Sequence, residues 1–100
     1  MQNLLGDIKR KRLTWLKSDL NSDKTNVIAD IAIIASEGFD DFKSMAHYMK
    51  AELDEKLSFG WNVFVGEKFG GKFKNRKGEF GYFKIGGTYF LVFNSYKVKK

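Results

Sequence analysis

Few residues in this 100-residue chain have the type and spacing that catalysis needs. There is no cysteine, which excludes disulfides, thiolate zinc sites, iron–sulfur clusters and a thiol nucleophile. His47 is the single histidine, so a two-histidine metal site within one chain is excluded as well. It falls in a helical stretch between Lys43 and Tyr48, where a lone imidazole reads as a surface or boundary group. Asp40 and Asp41 precede an apolar periodic run, the position of a helix cap rather than of a paired acid and base. Gly70, Gly71, Gly78 and Gly81 are not placed after a strand and before a helix, as a phosphate-binding loop must be. No nucleophile elbow accompanies them. The pattern points to a binding protein rather than an enzyme, and it implies no cofactor.

The regular spacing belongs to cations. Lys72, Lys74 and Arg76 recur at every second residue, so an extended strand would carry all three on one side. Such a strand is a poor centre for a sheet and a good edge, and the glycines at its ends let it swing away from its own domain. An edge presents unpaired backbone donors and acceptors that another chain can satisfy by strand addition. The net charge of +6 is uneven: residues 1–20 carry +3, 21–57 carry −4 and 58–100 carry +7. Either the chain meets an anionic partner, or its acidic middle neutralises part of the basic tail within the fold or across a dimer.

These residues must be positioned by one small domain. The composition, 43% hydrophobic with ten Phe and no Pro, is that of a folding chain. No apolar run is long enough for a membrane span, and Met1–Asp7 is no signal peptide, so an intracellular location is expected. Residues 1–10 read as a mobile lead-in. Leu13–Leu16 reads as a short strand, and Asp19–Asp23 supplies helix-capping chemistry. Val27, Ile28, Ile31, Ile34 and Ala35 recur at helical spacing, predicting a helix from about Ser22 to Glu37 with Gly38 as its C-cap. Phe42, Met45, Met49, Leu53 and Leu57 line a second helix that ends near Lys56. After Gly60 the period falls to two. Strands are predicted at Trp61–Val65, Phe69–Arg76, Phe80–Ile85 and Thr88–Phe93, the last two joined by the Gly86-Gly87 turn. The order β-α-α-β-β-β-β is that of an α+β domain with helices and sheet segregated.

Both faces of the final hairpin are apolar. Phe83, Ile85, Phe90 and Val92 share one side; Phe80, Tyr82, Tyr89, Leu91 and Phe93 share the other. A solvated face would alternate with polar residues. Two consecutive helices most simply cover one face, so the second calls for another chain.

The stretch from Met45 to Phe93 resembles the dynein light chain family of the eight-kilodalton type. The features are the helix at 46–56, Trp61 opening a strand, the run Val65-Gly66-Glu67-Lys68-Phe69-Gly70, and the pieces Tyr82–Gly86 and Phe90–Phe93. The pattern extends without a gap over 11–96. The resemblance implies the same element order and a dimer, with itself or with a paralogous light chain, in which the strand at 69–76 is exchanged. It implies that extended segments of dynein intermediate chains or scaffold proteins add beside that strand. Carried over by position, Phe69, Gly70, Gly71, Lys72, Phe73, Lys74 and Asn75 line the groove. Phe80, Tyr82, Lys84, Tyr89 and Leu91 floor it, and Phe42 and Lys43 stand at the helix start. Asn62, Phe64, Lys72, Phe73 and Lys74 belong to the dimer interface. No metal, membrane or specific nucleic acid is implied, and the location is cytoplasmic and cytoskeletal, or axonemal in the cilium for a specialised member.

The chain departs from the family pattern where ligands are read. Phe42 stands for an acidic residue, Lys72 and Lys74 for an aromatic and a hydroxyl residue, Lys84 for a Tyr and Tyr89 for a small residue. These changes place the usual glutamine-centred ligand motif in question. The interface His of the family is Asn62 here, so acid-triggered dissociation should be absent or weaker. An RNA-binding module is the rival from another class, since Lys77-Gly78-Glu79-Phe80-Gly81-Tyr82-Phe83-Lys84-Ile85 looks like an RNA-recognition stacking strand. Glu79 interrupts that spacing, and two helices before four consecutive strands is the wrong order for it.

Overall fold

A computed structural model describes residues 12–67 and 78–95. Strand β1 spans Leu13–Ser18, helix α1 Ser22–Gly38, helix α2 Phe42–Lys56, and strands β2, β3 and β4 span Trp61–Gly66, Phe80–Ile85 and Thr88–Asn94. The strands form one antiparallel sheet in the order β1-β3-β4-β2, with both helices packed on one side. This is the α+β architecture expected. The lead-in at 1–10 and the cationic strand expected at 69–76 lie outside the described residues.

Local chemistry sets the helix ends. Asn21 is the N-cap of α1, its side-chain oxygen accepting the Lys24 N–H at 2.8 Å. Asp41, not Asp40, caps α2 by accepting the Ser44 N–H at 2.8 Å. That bond holds the Asp41 carboxyl below its ordinary pKa. Gly38 is not the C-cap expected of it. It is the last helical residue, without positive φ, and Phe39 caps by donating its N–H to the Ala35 carbonyl at 3.1 Å.

The core lies between the helices and one sheet face. Ile28, Ile31, Ala32 and Ala35 of α1 meet Met45, Met49 and Leu53 of α2 above Trp61, Phe83, Phe90 and Val92. The stripe read for α1 needs one correction: Ile34 is 51% exposed, while Ala29 and Ile33 are buried. Helix α1 is covered by α2 as well as by the sheet, so its buried arc is wide and Ile34 falls on the remaining open side with Asp30 and Glu37.

One lock joins α2 to the sheet, and one glycine seats β1 on β3. At the end of α2, Asp54 Oδ1 accepts the N–H groups of Gly60 and Trp61 at 3.1 and 2.9 Å, and Lys50 Nζ meets Asp54 Oδ2 at 3.0 Å and the Trp61 carbonyl at 2.7 Å. Burial alone would raise the Asp54 pKa; the Trp61 N–H and the Lys50 ammonium outweigh it and lower it. In β3, Gly81 makes room for Trp15 and Leu20: a Cβ there would stand 2.9 Å from an atom of each. Gly86 opens the β3–β4 turn at φ +59°, as the hairpin requires.

Candidate binding face

The sheet face away from the helices carries most of the described residues expected at the site. Register places Tyr82 opposite Leu91, Lys84 opposite Tyr89, Phe80 opposite Phe93, and Phe64 of β2 opposite Leu91. Leu91 sits on the inner strand β4 and is 2% exposed although it is no part of the helix-side core. Rings surround it: Phe64 stacks on Phe93 at 6.0 Å, and Tyr82 lies 6.0 Å from Tyr89. Phe80, Tyr82, Lys84, Tyr89 and Phe93 are half-buried, and Phe64 is 46% exposed. The face is thus apolar and aromatic at its centre, with Lys84 at one end holding its ammonium 6.0 Å from the Tyr89 ring.

The other expected residues divide. Asn62, assigned to the interface, lies on this face opposite Phe93 and donates to Ser95 Oγ at 3.0 Å. Phe42 and Lys43 are exposed in the first turn of α2 and so belong to the helical layer, not to the floor. Phe69, Gly70, Gly71, Lys72, Phe73, Lys74 and Asn75 lie outside the described residues. His47 is exposed on α2.

Three features escape a reading of the sequence. Plain alternation after Trp15 would put Leu16 on the outer face and Lys17 toward the helices. A bulge between Trp15 and Lys17 sets Lys17 opposite Tyr82 instead, on the outer sheet face. Asp19, read as capping chemistry, serves the sheet: Oδ2 accepts the Gly78 N–H and Oδ1 the Phe80 N–H, both at 2.9 Å. Glu79 is 5% exposed at the entry to β3, with Lys24 Nζ 3.6 Å from its carboxylate. The only signal for these in sequence is the breakdown of alternation at Trp15-Leu16-Lys17, since the partners of Asp19 and Glu79 are distant along the chain.

Known proteins share this architecture. The family model described as dynein light chain type 1 matches residues 13–95. The chain is 36% identical to "Dynein light chain 1, cytoplasmic" of Debaryomyces hansenii, over 78% of this chain and 86% of that one. It is 33% identical to the protein of the same name in Kluyveromyces lactis, over 78% of this chain and 90% of that one. Among solved structures, the dynein light chain-like domain of a Fasciola hepatica calcium binding protein superposes with a TM-score of 0.73 at 16% identity, over 95% of this chain and 100% of that domain, a likeness of fold. A single alignment of family pattern from β1 to the end of β4, with two relatives above 30% identity, gives the conclusion that this chain belongs to the dynein light chain family.

Proposed function

We propose that the chain is a non-enzymatic dynein light chain subunit. It dimerises, with itself or a paralogous light chain, through the outer sheet face around Leu91 and Phe64. It binds extended segments of dynein intermediate chains or scaffold proteins by strand addition, and so supports motor assembly and microtubule-based movement. Its place is the cytoplasm, the compartment in the names of its relatives, and there the cytoskeleton. Family membership supports the subunit role. The observation that carries the rest is the outer face itself, where Leu91 is 2% exposed within a ring of Phe and Tyr side chains and Phe64 is 46% exposed. A face meant for water would alternate with polar residues, and an apolar patch of this kind marks an association surface. Affinity for a ligand strand comes mainly from backbone hydrogen bonds and from two grooves acting together.

Affinity capture of the full-length chain from its native cells, followed by mass spectrometry, tests the reading. Dynein intermediate chains should be retained by the wild type and lost from Phe64→Glu. Recovery of no dynein component by a folded wild-type bait would refute it.

A further inference from the structure

We propose that Lys17 and Lys84 form a carboxylate-selecting subsite on the binding face, so that the segments this chain takes up are acidic. The inference rests on the strand-addition reading and deepens it. The bulge in β1 places Lys17 opposite Tyr82, and Lys84 is two residues further along β3, opposite Thr14 of β1 and Tyr89 of β4. The two lysines are therefore diagonal neighbours on one face, with Cβ atoms about 7–8 Å apart or less. Both side chains are long and flexible, so a carboxylate arriving over β3 would draw the two ammonium groups toward it. Among the described residues no carboxylate lies within ion-pair distance of either, whereas Lys24, Lys50 and Lys56 each have one. Neighbouring like charges repel, and an incoming anion relieves that repulsion.

The surroundings favour a peptide carboxylate over other anions. The subsite adjoins Tyr82 and Tyr89, and Leu91 lies beyond Tyr82 on the next strand. Along an extended ligand every second side chain faces the same way. A segment with Asp or Glu and an apolar residue on its sheet-facing side matches a cationic end beside an aromatic floor. The Lys84 ammonium stands 6.0 Å from the centre of the Tyr89 ring, at the rim of that floor. The subsite is a specificity element. Backbone pairing holds the ligand, and the lysines choose among ligands.

The test uses an array of extended peptides of about ten residues, each present as a pair that differs only by Glu against Gln at one position. The probes are applied to the full-length wild type, Lys17→Gln, Lys84→Gln and the double variant. Affinities are then measured by fluorescence anisotropy at low and at high salt. Each exposed pair is worth little, so the wild type should prefer the acid of a pair by about three- to ten-fold at low salt. The preference should shrink at high salt and vanish in the double variant, whose circular dichroism should match wild type. Equal binding of acid and amide peptides by the wild type, or an unchanged preference in the double variant, overturns the subsite and leaves strand addition standing. Failure of every peptide to bind overturns strand addition and the subsite with it. A single-stranded oligonucleotide that binds more tightly than any peptide, in a Lys17- and Lys84-dependent way, also overturns the subsite as a peptide reader.

Discussion

Replacing Asp54 by Ala should be among the most damaging changes outside the apolar core. One carboxylate gathers the turn between α2 and β2: Oδ1 accepts from Gly60 and Trp61 at 3.1 and 2.9 Å, and Oδ2 meets Lys50 at 3.0 Å. Hydrogen bonds to a charged acceptor contribute about 1.5–3 kcal/mol each when sheltered. Lys50 is half exposed, so its pairing adds at most about 1 kcal/mol. Partial exposure of the turn lowers the sum, and a loss of about 2–4 kcal/mol is expected for Asp54→Ala. Asp54→Asn keeps one oxygen for the backbone donors and should lose about half of that. For a domain of this size each kcal/mol moves Tm by about 4–8 °C. The pH dependence has a definite sign. The folded-state pKa of Asp54 is lowered, so its contribution is complete above the unfolded value near 3.8 and disappears as pH falls through the folded value. Urea unfolding followed by tryptophan fluorescence, at fixed protein concentration, reads both effects. The gap between wild type and Asp54→Asn should be full at neutral pH and narrow below about pH 4. A gap under about 0.5 kcal/mol for Asp54→Ala, or one that does not narrow in acid, would refute the reasoning.

Two other substitutions probe the sheet. Asp19→Ala removes the acceptor for the Gly78 and Phe80 N–H groups and should cost about 1–2 kcal/mol by urea unfolding, with faster amide exchange at Phe80; unchanged exchange there would contradict the latch. Gly81→Ala must displace Trp15 or Leu20, each 2.9 Å from the new Cβ, and should cost about 1–3 kcal/mol and alter the near-ultraviolet signal of Trp15; a neutral Gly81→Ala would show that β1 lies more loosely on β3.

Elements with their own periodicity were legible in the sequence. The final hairpin, with its Gly86-Gly87 turn and two apolar faces, could be read because strand alternation depends only on neighbouring residues. Helix α2 was legible for the same reason, and its cap was narrowed to Asp40 or Asp41, of which Asp41 serves. What was not legible depends on distant partners. Lys17 reaches the outer sheet face only because β1 bulges against β3, so a residue count alone assigns it to the wrong side. Asp19 looks like one more capping acid until Gly78 and Phe80 are brought beside it. Glu79 serves in sequence only to spoil an RNA-binding spacing; in the fold it is buried beside Lys24. Ile34 fits the helical period, yet the second helix determines which residues of α1 are covered. The candidate site was legible on β3 and β4, where alternation puts its residues on one face, and incomplete on β1, where alternation fails.

The central claim is that the outer sheet face around Leu91 and Phe64 is buried against a second light chain. Sedimentation velocity of the purified full-length chain at low micromolar concentration tests it most directly, with Phe64→Glu beside it, since Phe64 is 46% exposed in the single subunit and its replacement leaves the helix-side core intact. The wild type, alone or mixed with a paralogous light chain, should sediment at about twice the 11.5 kDa subunit mass, and Phe64→Glu should sediment as a folded monomer. A folded, soluble wild-type chain that stays at one subunit mass and takes up no second light chain would contradict the account.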